Sequence, residues 1–119
     1  MPTTDLTAVA LRLRAILDPY RAHLAESTIY NMPVLRRRGS KGHDWFAGVQ
    51  PVEGAVKFNF LPMHTHPGLL EDVSPTLRKH KAGASVFRFT EIDEPLASEL
   101  EKLVGQGFLA YMGKAESAH

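Results

Sequence analysis

Two short segments of this chain alternate apolar and polar residues, and this alternation limits the fold more than any other feature. They read VKFNF at Val56–Phe60 and VFRF at Val86–Phe89. An apolar residue at every second position is typical of a β-strand with one buried and one solvent-exposed face. We therefore predict two strands that bury their phenylalanines and expose Lys57, Asn59 and Arg88.

The composition is that of one globular domain with little net charge. The chain has 119 residues, 44% of them hydrophobic, which suits a single core. We predict one domain over residues 1–119. Its 14 Lys and Arg and 13 Asp and Glu give a net charge of +1 at pH 7, so no overall field draws the protein to nucleic acid or to an anionic membrane.

Cysteine is absent from the chain. Its absence excludes disulfides, thiol catalysis and thiolate metal ligands, and it is typical of the reducing cytosol. The N-terminus has no basic segment followed by an apolar stretch, and no run approaches the roughly 18 apolar residues of a membrane helix. We expect a cytoplasmic protein that does not enter a membrane.

The N-terminal segment has the pattern of an amphipathic helix. Apolar residues follow helical spacing from Leu6 to Leu17, so this helix should cover one face of the sheet. Asp18 and Pro19 then favour a second short helical turn to about Leu24, because proline is tolerated in a first turn. We expect the helical segment to end near residues 25–28.

A second apolar stripe predicts a C-terminal helix. Glu94 and Pro95 open it, and helically spaced apolar residues continue to Met112. Gly105 and Gly107 lie within it, and each costs about 1 kcal/mol relative to alanine in a helix. We therefore expect a kink or a break at the two glycines.

The middle of the chain predicts a strand meander. Residues 34–38 and 45–49 flank a glycine-containing loop as a hairpin, and a turn at residues 51–54 leads into the first alternating strand. Ser74 and Pro75 predict a short basic helix to about Lys81. The predicted fold is α+β, with an antiparallel sheet of four or five strands packed on its phenylalanine face by the N- and C-terminal helices.

The exposed face of the two alternating strands is the first candidate site. Lys57 and Arg88 supply hydrogen-bond donors without acceptors, and Asn59 supplies both. Together they could hold an anion or another small ligand. The alternative is an ordinary hydrated sheet face.

Two histidines form the second candidate site. If the segment around His64 and His66 is extended, both imidazoles point the same way and could bind a transition metal. A third ligand would have to come from His43, His80 or Asp72. The alternative is a hydrated loop with histidines at its surface.

A run of arginines suggests a phosphate contact. Arg36–Arg38 and Lys41 lie near the predicted hairpin tip and could bind phosphates by charge and donor geometry. A charged edge strand, which discourages aggregation, explains the arginines equally well. Trp45 and Phe46 could stack on bases but belong to an apolar run that favours the core. We expect no nucleic-acid binding, because a basic patch alone is insufficient.

No catalytic motif is present. The chain has no nucleotide-binding loop, nucleophile elbow or metalloprotease helix, and its acidic residues lie mostly at helix starts and exposed helical positions. The leading hypothesis is a non-enzymatic binding or interaction module. Its partner would be a small anionic ligand, another protein or a second copy. A metal-handling protein is the alternative and a small-molecule enzyme the third, and the sequence identifies no cofactor.

Several segments in order resemble the YdhG-like family. They are Ile29–Val34, Trp45–Val49, Leu77–Lys79 and Gly83 before Val86–Phe89. The resemblance covers almost the whole chain. It implies a small α+β protein whose antiparallel sheet is packed by terminal helices. Some members are described as frataxin-like iron chaperones, which would make this chain a metal-handling protein.

Overall fold

A computed structural model describes residues 6–29, 32–39, 44–71 and 73–116. Its helices are α1 Leu6–Leu17, α2 Pro62–Thr65, α3 Pro75–Arg78 and α4 Glu94–Glu116, with 3₁₀ turns at Asp18–His23 and Pro67–Leu70. Its strands are β1 Ala25–Ile29, β2 Met32–Arg36, β3 Ala47–Val52, β4 Ala55–Phe60, β5 Lys81–Gly83 and β6 Val86–Phe89. The fold is α+β, as predicted.

The six strands form one antiparallel sheet in the order β1-β2-β3-β4-β6-β5. Strands β3 and β4 form a hairpin through the turn residues Glu53 and Gly54. Gly54 has φ +77°, a conformation that costs glycine little and other residues much. The chain then leaves the sheet and forms α2 and α3. It returns to the sheet as β5, which is the edge strand, and β6, which lies between β4 and β5.

The core lies between one face of the sheet and two helices. In the β4–β6 register, Phe58 lies opposite Phe87 and Val56 lies opposite Phe89. All four phenylalanines of these strands are fully buried (Phe58, Phe60, Phe87, Phe89). Helix α1 packs against β3, β4 and α4. The alternation therefore predicted the buried face correctly.

Helix α4 runs without interruption through Gly105 and Gly107. The predicted break was wrong, and packing explains why a glycine lies there. A Cβ on Gly107 would lie 2.2 Å from Cζ of Phe60, so only glycine lets the helix lie this close to the ring. At the start of α4, the Asp93 side chain accepts a hydrogen bond of 2.9 Å from the backbone N–H of Leu96, which satisfies a free N-terminal donor.

The sheet has six strands and not the predicted four or five. We expected residues 25–28 to end a helical segment, but they lie in β1, which pairs along its full length with β2. We expected a helix to about Lys81, but α3 ends at Arg78 and Lys81 begins β5. Both strands are short, and neither has the apolar alternation that local pattern reading requires. Tertiary pairing, which is not visible locally, makes them strands.

None of the described helices combines the length and the apolar character needed to cross a membrane. The longest, α4, carries charged residues throughout its N-terminal half.

Candidate anion-binding site

Lys57 and Arg88 lie directly opposite each other on the neighbouring strands β4 and β6. They project from the sheet face opposite to the buried Phe58 and Phe87, because successive residues of a strand point to opposite sides. We call this the outer face. The strands that carry the first candidate site are thus neighbours, as that prediction required.

Both cationic side chains lack a partner within the described part of the chain. Arg88 is exposed and Lys57 half-buried, and neither side chain makes an ion pair or a hydrogen bond with a described residue. Like charges directly opposite across a sheet are destabilising. The pair therefore raises the energy of the folded protein unless a negative group outside the described residues compensates it.

Asn59 lies two residues after Lys57 on the same strand and belongs to the same face. It lies opposite Val86 on β6 and Gly48 on β3. Only 7% of its surface is exposed, so the prediction that Asn59 is exposed was wrong. Its Nδ2 is buried without an acceptor among the described residues. A buried donor without a partner costs about 1–3 kcal/mol, so this amide is a second unsatisfied donor group on the same face.

The backbone of β2 lies close beside this amide. A Cβ on Gly48 would lie 1.9 Å from the carbonyl oxygen of Pro33, so β2 approaches the outer face at the position next to Asn59. Only glycine permits this approach. The close approach gives a physical reason why a strand in the middle of the sheet carries glycine.

The chemistry of the outer face is that of a donor surface. The guanidinium of Arg88 is exposed and the ammonium of Lys57 half-buried, whereas the carboxamide of Asn59 is buried beside them. Gln50 lies opposite Lys57 on β3. Charged donors form the stronger hydrogen bonds, particularly with carboxylate, sulfate or phosphate oxygens. The arrangement can therefore bind an oxyanion without any change of register.

The segment that carries the two predicted metal ligands is not extended as the prediction assumed. The segment carrying His64 is the short helix α2, not an extended strand, and His66 follows as its C-terminal cap. Residues two positions apart on a helix point in directions about 200° apart around its axis. The condition that an extended backbone points both imidazoles the same way is therefore not met. Nδ1 of His66 lies 2.9 Å from the hydroxyl oxygen of Thr65.

The other proposed ligands add no metal cluster. His80 stacks on Phe89 with ring centroids 4.8 Å apart, and its Nδ1 lies 3.2 Å from the carbonyl oxygen of Arg88. His43 and Asp72 lie outside the described residues. Among those described, no three His, Asp or Glu side chains are placed to hold a metal ion. Metal binding by His64 and His66 stays a prediction.

The arginine run does not act as a single patch. Arg37 forms an ion pair with Asp44. Its Cζ atom lies 5.0 Å from the centroid of the Tyr111 ring, over the face of that ring. Arg38 donates to the carbonyl oxygen of Ala22 at 3.3 Å. The edge-protection interpretation is wrong, because β2, which ends at Arg36, lies between β1 and β3. Lys41 lies outside the described residues.

The cluster around Tyr111 was not predicted from the sequence. Its hydroxyl accepts from the backbone N–H of Arg37 at 2.9 Å and donates to the carbonyl oxygen of Asp44 at 3.4 Å. Burial raises the pKa of Tyr111, and the hydrogen bond with Asp44 raises the pKa of Arg37. These contacts connect the end of β2 to α4. No sequence signal marks them, since the partners are 74 residues apart.

Two clefts in the described part of the molecule lie away from the outer-face cations. One, of about 200 Å³, lies between α1 and the strands β1–β3 beside Arg14 and Leu17. The other, of about 350 Å³, lies beside Thr76, His80 and Glu91. Neither includes the residues of the first candidate site. The first candidate site is therefore separate from these two clefts.

Trp45 and Phe46, the two aromatic residues of the apolar run before β3, are both buried. Phe46 is packed among aromatic rings, including Tyr111 at 5.6 Å in a stacked arrangement. Neither ring is exposed for stacking on a base, and both serve the interior as the apolar run indicated.

Comparison of the chain with protein-family models, with curated proteins and with solved structures finds no match. The resemblance to the YdhG-like family accordingly stays a prediction. The functional conclusion depends on the arrangement of the residues themselves.

Proposed function

We propose that this protein is a non-enzymatic binding module that takes an anionic group on the outer face of its sheet. Lys57 and Arg88 would supply charge, and Asn59 would supply a neutral donor. The observation that carries the proposal is the directly opposed Lys57–Arg88 pair without a described counter-charge. An oxyanion would relieve the repulsion between them and accept hydrogen bonds from both.

Three arginines elsewhere in the described part of the chain are paired, in contrast to Lys57 and Arg88. The arginines Arg12, Arg21 and Arg37 each contact a carboxylate at the protein surface. The outer face instead carries two cations with no such neighbour among the described residues and a buried amide beside them. A ligand-binding surface commonly keeps groups that folding alone leaves unsatisfied.

The titratable groups support the choice of binding over catalysis. The described groups whose pKa departs from its ordinary value are held in surface ion pairs or in aromatic packing. Catalysis by proton transfer needs a perturbed group within a cleft. We place the module in the cytosol, which the absence of cysteine supports.

The test is a sulfate titration at constant ionic strength, with chloride as the balancing salt. Sulfate should bind saturably and shift the side-chain NH₂ resonances of Asn59 in ¹H–¹⁵N spectra. Lys57→Ala and Arg88→Ala should each weaken binding by several-fold to about tenfold, as the loss of a charged hydrogen bond does. The matched control is Arg14→Ala, because Arg14 is also an exposed arginine without a described partner.

A glutamate hexapeptide, titrated in parallel, separates two sources of the anionic group. Tighter binding of the peptide than of sulfate supports an acidic protein partner, and the reverse supports a free small anion. Affinity for both that is unchanged in the double variant Lys57→Ala, Arg88→Ala would overturn the proposal. Stoichiometric nickel, zinc or iron binding that is lost in His64→Ala, His66→Ala would instead favour metal handling.

A further inference from the structure

The sheet ends in two edge strands that differ in how well they are protected. At one end, β5 has only three residues, and its pairing with β6 shifts register between Lys81 and Gly83. Lys81 and Ala82 both lie at the surface. A short strand, a bulge and a lysine at the edge are three devices that discourage a further strand from pairing.

The other edge, β1, has none of these devices. All five residues Ala25–Ile29 pair with β2 in unbroken register, and the strand contains neither proline nor lysine. Its one charged residue, Glu26, forms an exposed ion pair with Arg21 at 2.9 Å, and Arg21 also pairs with Asp18. Outside the β1–β2 ladder, no described group hydrogen-bonds to the backbone of residues 25–28. The described residues therefore leave the outward N–H and C=O groups of this edge unpaired along about 17 Å.

We propose that β1 pairs antiparallel with β1 of a second copy, around a two-fold axis at Ser27. The two sheets then form one continuous sheet and leave only the protected β5 edges. This arrangement is closed, because each copy uses the same surface. It does not involve the outer-face anion site and stands independently of the function proposed above.

The register follows from charge and from strand length. With the axis at Ser27, Glu26 lies opposite Thr28 of the second copy and Ala25 lies opposite Ile29, so all five residues pair. An axis at Glu26 would set two carboxylates directly opposite, which is destabilising. In this register hydrogen bonds can form whichever backbone groups of β1 point outward. If those of residues 25, 27 and 29 do, they lie opposite the same set of residues in the second copy, and the same holds for residues 26 and 28.

Ser27 gives the proposal a sharp test by charge exchange. Ser27→Lys would place two ammonium groups opposite each other across the axis, and Ser27→Asp would place two carboxylates there. Each variant alone should be monomeric in sedimentation equilibrium, while the wild type shows a concentration-dependent monomer–dimer equilibrium. An equimolar mixture of the two variants should restore a dimer. The control Ala82→Lys, on the β5 edge, should dimerise like the wild type.

Hydrogen exchange of the wild type gives an answer that does not depend on the variants folding. Backbone amides of residues 25–28 should exchange more slowly at high than at low protein concentration, and those of Lys81–Gly83 should not. A wild type that stays monomeric up to millimolar concentration would overturn the proposal. So would a dimer that persists in Ser27→Lys, or a mixture that remains monomeric although both variants are folded.

Discussion

Strands β4 and β6 carry two adjacent residue pairs with opposite physical character. Phe58 and Phe87 meet on the inner face, where both are fully buried. Lys57 and Arg88 meet one position further along on the outer face, where two like charges oppose each other. The same ladder thus stabilises the fold on one side and costs stability on the other. The difference indicates that the outer face is not arranged for stability.

The largest expected difference between the two faces comes from truncating one residue of each. Phe58→Ala should lower the free energy of unfolding by about 3–5 kcal/mol, because it removes a buried ring and leaves a cavity. Lys57→Ala, the neighbouring control, should change it by less than about 0.5 kcal/mol. Urea denaturation measures both. Similar small effects in the two variants would contradict the buried assignment of Phe58.

The tight packing of the inner face is tested by two glycines of α4. Gly107→Ala should destabilise the protein by about 1–2 kcal/mol, because the added methyl group meets the ring of Phe60 and this strain exceeds the gain in helix propensity. Gly105→Ala is the control: its Cβ would lie 3.3 Å from the hydroxyl of Tyr20, and a gain of up to about 1 kcal/mol is expected. Thermal unfolding of both variants measures these effects. Equal changes in the unfolding temperature would contradict the close contact between Gly107 and Phe60.

Asn59 tests whether the outer face gives up stability. Asn59→Leu replaces a buried amide without a described acceptor by an apolar group of similar shape, and it should stabilise the protein by about 1 kcal/mol. Sulfate affinity should fall at the same time. Gln50→Leu, on the same face but half-exposed, should change the free energy of unfolding by less than about 0.5 kcal/mol. Destabilisation of Asn59→Leu would show that its amide is satisfied in solution.

The sequence predicts which side chains of the central strands face the core, but it does not predict the edge strands of the sheet. Alternation at Val56–Phe60 and Val86–Phe89 predicted which side chains are buried, because a strand's period of two is a local property. The strand β1 was missed because its sequence, AESTI, has no apolar period and becomes a strand only through pairing with β2. Local patterns do not contain such long-range pairing.

The candidate sites show the same limit. The sequence alone assigns three residues to one face, Lys57, Asn59 and Arg88, because side chains alternate between the two faces of any β-strand. That Lys57 lies directly opposite Arg88, and that Asn59 is buried, required the register of the sheet. The interpretation of His64 and His66 depended on an extended backbone, and the proline that begins α2 favours a helical first turn instead.

The smallest predicted effect is the most direct test of the contrast between the faces. Arg88→Glu converts the opposed pair with Lys57 into an attractive one, so it should stabilise the protein by about 0.2–1 kcal/mol. The gain should shrink at high salt, because exposed charges are screened within about 10 Å at 0.1 M ionic strength. Arg14→Glu, which creates no such cross-strand pair, should not show this salt-dependent gain. Urea denaturation at low salt and in concentrated sodium chloride separates the two variants.

If Arg88→Glu instead destabilises the protein at low salt, the two cations are already compensated in solution and the outer face is satisfied like the inner one. Loss of sulfate binding together with a gain in stability would link the cost of the opposed charges to their use in binding.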